Sequence, residues 1–299
     1  MSSDRPTFSI TVSTIHGWPK VRAPLASFEA AAARVGGEVV ITDASSNPPP
    51  DPGTLAPTTT WHRLPGKSVF QLREVAYRLA RAPIVAITED HVVVPPDWGE
   101  RYLAAFEAAS EAMAIGGSVE NGATGATVDW ASFFVVQATV VAPIASGPVT
   151  RLSGAVNVAY RAEALGDVDD HGGLGTLDGL HQRDLVRRGS ILVADDTIRV
   201  SHDQSESVAA FTALHFHAAR TFAGFLRGDM DGQAWFRFLA VWFVPYLRLG
   251  RAALLLNRRG YGPTLGRVWP MMLWLLYVQA AGHLIGFVAG PGDSPRHVS

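Results

Sequence analysis

The stretch that most constrains the fold is Ile84 to Trp98, IVAITEDHVVVPPDW. It opens with a short apolar run rich in β-branched residues, Ile84 to Ile87, which reads as a buried strand. Glu89, Asp90 and His91 follow almost at once. Carboxylates at the end of a buried strand are unfavourable unless paired, because desolvating a lone charge costs several kcal/mol. Two readings fit. Either the acids face water at a strand-to-turn junction, or they meet a divalent cation, which takes hard oxygen ligands together with an imidazole.

The residues before this stretch supply the strand with neighbours. Phe8 to Val12 reads as a strand and Val39 to Thr42 as another, ending at Asp43-Ala44-Ser45. Between them Val21 to Val35 has helical spacing, with apolar residues at 21, 25, 28, 32 and 35. Strand, helix, strand at this spacing is a βαβ unit and implies a largely parallel sheet. Open parallel sheets bind ligands beyond the carboxyl ends of their strands. Asp43 and the Glu89-Asp90-His91 cluster both belong to such ends. Asn47 to Pro57 is Pro-rich and reads as a surface loop.

Val69 to Arg81 is a helix by its apolar positions and carries Arg73, by itself an ordinary solvated helix-face charge. Trp98 to Ala112 is the next helix, followed by a strand Met113 to Ile115 ending at Gly116-Gly117. In Arg151 to Arg161, RLSGAVNVAYR, the small residues of the first half let backbone approach a ligand closely. An acidic, Gly-rich loop, Asp167 to Gly179, precedes a helix from Leu180 to Arg188. Asp178 at its start is equally suited to cap that helix. Ile191 to Ala194 and Thr197 to Val200 are short strands, and His202 follows the second. Such a His is structural unless a nearby metal cluster recruits it.

Composition narrows the function classes. The chain has 299 residues, 47% hydrophobic and 17% charged, with a net charge of −2 and no cysteine. Thiolate nucleophiles, disulfides and zinc–thiolate sites are excluded. The charge gives no reason to expect nucleic acid. No Gly-x-Gly-x-x-Gly follows the first strand, which disfavours a dinucleotide-dependent oxidoreductase.

The order of these motifs resembles a family 2 glycosyltransferase of the GT-A fold, over about residues 7 to 205. The resemblance implies an α/β fold, Rossmann-like, with a mostly parallel sheet flanked by helices. It implies that Thr14, Asp43, Ser45, Arg73, Glu89, Asp90, Gly154 and Asn157 bind the nucleotide-sugar donor, UDP- or GDP-linked. Glu89-Asp90-His91 takes the place of the family's Asp-x-Asp motif, so Asp90 and His91, with His202, would hold a divalent metal, Mn2+ or Mg2+. Asp178 takes the position of the second acid of the family's Glu-Asp pair, the general base, while Leu177 replaces the first. The implied reaction is inverting, metal-dependent transfer of a sugar to an acceptor hydroxyl. The altered metal and base motifs leave open a second expectation, an inactive GT-A module that binds a membrane or a partner.

From Gln233 to Pro291 there is no Asp or Glu, and the charge is all Arg: 237, 248, 251, 258, 259 and 267. Trp269 to Gly290 would be about 33 Å long as a helix, enough for a hydrocarbon core of roughly 30 Å. Gln279 and His283 interrupt it. Ala234 to Leu247 is too short to cross and suits an interface. The expected division is therefore a catalytic domain, 1–207, and a hydrophobic, Arg-rich helical region, 208–299, that associates with a membrane. With the Arg residues in front of the long segment and no export signal at MSSDRPTFSITVS, the expected location is the cytoplasmic face of the cell membrane. A sugar or lipid-linked acceptor would meet the donor there.

Overall fold

The computed structural model describes residues 5–166, 173–229 and 241–298. Part of the expected Asp167–Gly179 loop (167–172) and the first part of the expected Ala234–Leu247 run, with Arg237, lie outside the described residues. In chain order the elements begin with β1 (Phe8–Thr14), α1 (Trp18–Arg34), β2 (Glu38–Asp43), β3 (Thr59–Arg63), α2 (Val69–Leu79) and β4 (Ile84–Glu89). Then come β5 (Val92–Val93), α3 (Trp98–Ala108), β6 (Ala112–Asn121), α4 (Thr127–Gln137), β7 (Gly147–Val149) and β8 (Val158–Arg161). The chain continues with α5 (Asp178–Arg187), β9 (Ile191–His202), α6 (Val208–Phe225), α7 (Val244–Arg258) and α8 (Gly262–Ala289). Two compact units result: Met1–Glu120 with Ala142–Asp203, and Asn121–Val141 with Gln204–Ser299.

The first unit is the expected α/β layer structure. Its sheet runs β3-β2-β1-β4-β8-β6-β9-β5, with β7 also on β9. β2, β1, β3 and β4 pair in parallel, as the βαβ spacing requires. β8 turns the direction, pairing antiparallel with β4 and with β6. Every residue of β1 and β2 is buried, the signature of a strand covered on both faces. Phe8 packs edge-on against Trp98 and stacks on Tyr102, which ties α3 to the foot of β1. Ser68 caps α2 in a reciprocal capping box with Gln71.

Three local expectations change. The strand expected at Met113–Ile115 runs on through both glycines to Asn121. A Cβ at Gly117 would lie 1.8 Å from the Ile198 carbonyl oxygen, so the glycine admits the neighbouring backbone rather than ending the strand. The two short strands after Ile191 are one strand, β9, that ends on His202. β3, β5, β7, β8 and α4 form where no element was expected: β3 is short and mostly part-exposed, and α4 is apolar almost all round, which weakens its period.

The second unit is helical. Within it α6 and α8 approach closely: a Cβ at Gly282 would lie 2.4 Å from the Phe216 carbonyl oxygen, and one at Gly286 2.4 Å from that of Arg220. Gly282 and Gly286 face Ala219 and Ala223, a small-residue pairing four apart on each helix. A polar network lies beside this seam. Gln279 Nε2 donates to His215 Nδ1 at 2.8 Å, and His215 Nε2 meets Ser132 Oγ at 2.9 Å. Arg248 donates to Gln279 Oε1 at 2.5 Å. Burial, then the Arg248 charge, lowers His215 to about 4, so it stays a neutral acceptor. Arg259 donates to the carbonyls of Ala138, Thr139 and Val141 beyond the end of α4. Two of the tail's Arg residues are therefore engaged inside the unit. α8, with 28 residues, is long and apolar enough to cross a membrane by length and composition. One of its faces is buried by Leu265, Val268, Met272, Leu275, Leu276 and Gln279, while Trp269, Trp274, Ile285 and Val288 are exposed.

The seam predicts a contrast. Gly286→Val must displace the backbone of α6 and should destabilise the protein by about 1–3 kcal/mol. Gly266→Ala, in open space on the same helix, should stabilise by up to about 1 kcal/mol. Thermal denaturation of the two variants checks this; equal melting temperatures would refute the packing described.

Candidate functional site

The strand register brings the candidate residues to one edge. Thr14 pairs with Asp43 across β1 and β2, and Ser13 with Glu89 across β1 and β4. All lie at the carboxyl ends of parallel strands, where a ligand is expected. Asp203 N donates to the His91 carbonyl, and Val92 pairs with His202, so β5 lays the end of β9 beside the turn after β4.

Three ligand atoms converge there. His91 Nε2 lies 3.0 Å from His202 Nε2 and 3.3 Å from Glu89 Oε2. His202 Nε2 is 3.6 Å from the same oxygen. Among the described residues Glu89, His91 and His202 form the group able to hold a metal ion. Asp90 faces elsewhere: Oδ2 accepts from Thr14 Oγ1 at 2.5 Å and Oδ1 meets His91 Nδ1 at 2.9 Å. The expected ligand set of Asp90, His91 and His202 thus has Glu89 at its focus, with Asp90 behind His91. A carboxylate on Nδ1 leaves Nε2 as the free ligand nitrogen, the usual support for a metal-bound imidazole. One carboxylate and two imidazoles fit a divalent transition ion.

The charges are tightly coupled. Burial would raise Glu89, but hydrogen bonds from His202 and His91 and the Arg73 charge hold it well below the usual range. Burial would lower His91, but Asp90 and Glu89 raise it to about 9. Burial lowers His202, and the His91 charge adds to that against the pull of Glu89.

Arg73, expected on a helix face, is only 9% exposed. Its Nη2 donates to Glu89 Oε1 at 3.0 Å and its Nη1 lies 3.4 Å from Asp178 Oδ2. Burial opposes its charge, but Asp178 and then Glu89 outweigh it and raise its pKa. Asp178 also accepts from Tyr77 Oη at 2.8 Å. Leu177, not Asp178, is the N-cap of α5, and Asp178 is its first helical residue, with its carboxylate on Arg73 and Tyr77. The segment before α5 is fixed on α2: Thr176 N donates to the Phe70 carbonyl. At Gly175 (φ 95°) a Cβ would lie 2.3 Å from Gln71 N, so only glycine allows that approach.

The other candidates divide. Asp43 is buried, with Oδ1 accepting from Ser45 N at 2.7 Å and Oδ2 from Trp61 Nε1 at 3.2 Å. Ser45 Oγ is buried without a partner among the described residues, a polar atom that a ligand could satisfy. Gly154 is exposed. Asn157 is 0% exposed. Its Nδ2 donates to the Ser118 and Ile198 carbonyls, both at 2.9 Å. Its Oδ1 accepts from Trp98 Nε1 at 3.0 Å and Tyr102 Oη at 2.8 Å. With its hydrogen-bonding capacity used in the core, the Asn157 side chain has none left for a donor sugar.

Sequence reasoning missed Tyr77 and Gln182. Tyr77 sits four residues after Arg73, on the same helix face, and that spacing was the available signal. Gln182 accepts from Leu152 N at 2.9 Å and donates to the Ser153 carbonyl and Tyr160 Oη, both at 3.0 Å, joining α5 to the segment before β8.

The fold is similar to that of the mannosyltransferase PcManGT from Pyrobaculum calidifontis, solved in complex with GDP-Man and Mn2+. The two share 18% identity at a TM-score of 0.55, over 94% of this chain and 88% of that one. This is a glycosyltransferase fold. No protein-family model matches the chain, and no curated protein matches it in sequence.

The metal-free cluster has a defined pH signature. His91 is raised from its ordinary 6.5 to about 9. Its contribution to stability is complete below about pH 6.5 and lost as pH rises through about 9, by roughly 3 kcal/mol at most. Melting in a chelator between pH 6 and 10 should show this loss, and His91→Gln should flatten it. A flat wild-type profile would refute the cluster's protonation.

Proposed function

We propose that the chain is an inverting, divalent-metal-dependent glycosyltransferase that moves a sugar from a UDP- or GDP-linked donor to an acceptor hydroxyl. The observation that carries this reading is Arg73, one guanidinium placed between the candidate cation group and Asp178. The likeness to a fold solved with GDP-Man and Mn2+ supports the choice of donor and ion. Glu89, His91 and His202 would hold the ion, which when bound offsets charge on the donor diphosphate. Two imidazoles favour Mn2+ over Mg2+.

The acceptor oxygen attacks the anomeric carbon as the bond to the diphosphate oxygen breaks. The nucleoside diphosphate leaves with that electron pair, and the acceptor proton passes to Asp178. Arg73 opposes the charge developing on the leaving group in a site sheltered from water. One base and one direct displacement invert the anomeric centre. Ser45 Oγ and the open backbone at Gly154 are the chain's own candidates for donor contacts.

The second part of the proposal is attachment to the cytoplasmic face of a membrane, which suits a lipid-linked acceptor. Its support is chemical. Exposed Trp242, Phe243, Leu247, Leu254, Trp269 and Trp274 accompany exposed Arg251, Arg258 and Arg267, a pairing that fits anionic lipid.

GDP and UDP should bind in the presence of Mn2+ with affinity that falls at least tenfold (about 1.4 kcal/mol) in a chelator or in His202→Ala. Asp178→Asn should keep that binding and lose about 10²- to 10⁴-fold in turnover. Nucleotide binding indifferent to Mn2+, or wild-type turnover in Asp178→Asn, would refute the reading. For attachment, the full chain should float with vesicles containing phosphatidylglycerol and be partly released by high salt. A chain that stays monodisperse in solution and ignores vesicles refutes the membrane part alone.

A further inference from the structure

We infer that Tyr77 is a positioning residue for Asp178, holding its carboxylate in place for the acceptor while Arg73 serves the donor. The inference rests on the proposed transferase reading. Among the described residues the Asp178 carboxylate has two side-chain partners, both from α2 and one helical turn apart. They are not equivalent. Arg73 makes its shorter contact, 3.0 Å, with Glu89 and its longer one, 3.4 Å, with Asp178. Tyr77 donates to Asp178 at 2.8 Å. An arriving diphosphate adds a third negative group for Arg73 to serve, and the longer contact is the one most easily given up. Tyr77 then remains as the donor that fixes the orientation of Asp178.

Tyr77 is built for that task. Its ring belongs to the buried cluster with Val85, Ile87, Val158, Tyr160 and Leu185, so the phenol oxygen cannot wander. Burial, and after it the Asp178 charge, pushes its hydroxyl well above 10, which keeps it a donor at every working pH. Oδ1 accepts this bond and keeps a second lone pair for the acceptor hydroxyl.

The test compares Tyr77→Phe with the wild type, using GDP-mannose with Mn2+ and a membrane-lipid extract as acceptor source, and following GDP release. Tyr77→Phe keeps the ring and loses one oxygen. The expected result is kcat lowered at least fivefold, KM for GDP-mannose unchanged within twofold, and GDP affinity unchanged. A purely structural role would instead lower the melting temperature and leave the kcat of the folded fraction intact, which overturns the inference. Equal kcat in the two proteins overturns it as well. Should Tyr77→Phe not fold, 4-fluorophenylalanine at position 77 fills the place of the hydroxyl but has no proton to donate. A lowered kcat at constant KM then supports the inference, and an unchanged kcat overturns it. Wild-type protein that releases no GDP and binds neither GDP nor UDP in the presence of Mn2+ refutes the transferase reading and this inference with it. Wild-type release with normal Tyr77→Phe turnover refutes this inference only.

Discussion

Two buried carboxylates on different elements share one buried guanidinium. Glu89 ends β4 and Asp178 begins α5, and Arg73 on α2 reaches both. Without it two anions would be desolvated against each other, and a buried charge stripped of its partner costs about 3–5 kcal/mol. The placement of α5 follows from this demand, helped by the Thr176–Phe70 backbone bond and by Gln182. On its other side Glu89 is balanced by His91 and His202, and Asp90 by Thr14 and His91. The edge of the sheet is thus one connected charge network, with neutralisation supplied from α2 on one flank and from β9 on the other.

Much of this edge was legible in the chain. The apolar run before Glu89, the βαβ spacing and Asp43 at the end of β2 follow from alternation and burial, which sequence records directly. What distance brings together was less so. Nothing local in the sequence distinguishes Glu89 from Asp90 as the residue aimed at both histidines; that depends on which side of the strand each faces once β9 pairs with β5. Asn157 looked like a ligand-facing amide in a segment of small residues. It is a core crosslink because Trp98 and Tyr102, more than fifty residues away in sequence, both donate to it. Arg73 looked solvated for the same reason: its partners come from later in the chain. Tyr77 was hidden by its ring, which serves the core while its oxygen serves the site.

In the helical unit the polar residues that interrupt the apolar tail have local explanations. Gln279 joins His215 and Arg248, and His283 Nδ1 returns to the Gln279 carbonyl at 2.8 Å. Polar groups satisfied in this way do not oppose an apolar setting. Arg259, which by composition belonged with the lipid-facing charges, closes the carbonyls after α4 instead. Among the described residues of the tail, 233–291, the Arg residues exposed at a surface are Arg251, Arg258 and Arg267.

The chain leaves the α/β unit after Glu120, builds α4, and returns at Ala142 before its final departure after Asp203. No single cut therefore separates the two units. A fragment ending near residue 207 would carry α4 with Phe133, Phe134 and Val135, buried in the whole chain, but without the later helices of its own unit. Such a stranded apolar helix invites aggregation, whatever the stability of the sheet around it. The interleaving also delays assembly: the helical unit stays incomplete until α8 is made, while α4 is made long before it. A detachable α/β half would need α4 replaced by a short polar link, which turns a topological feature into an engineering rule.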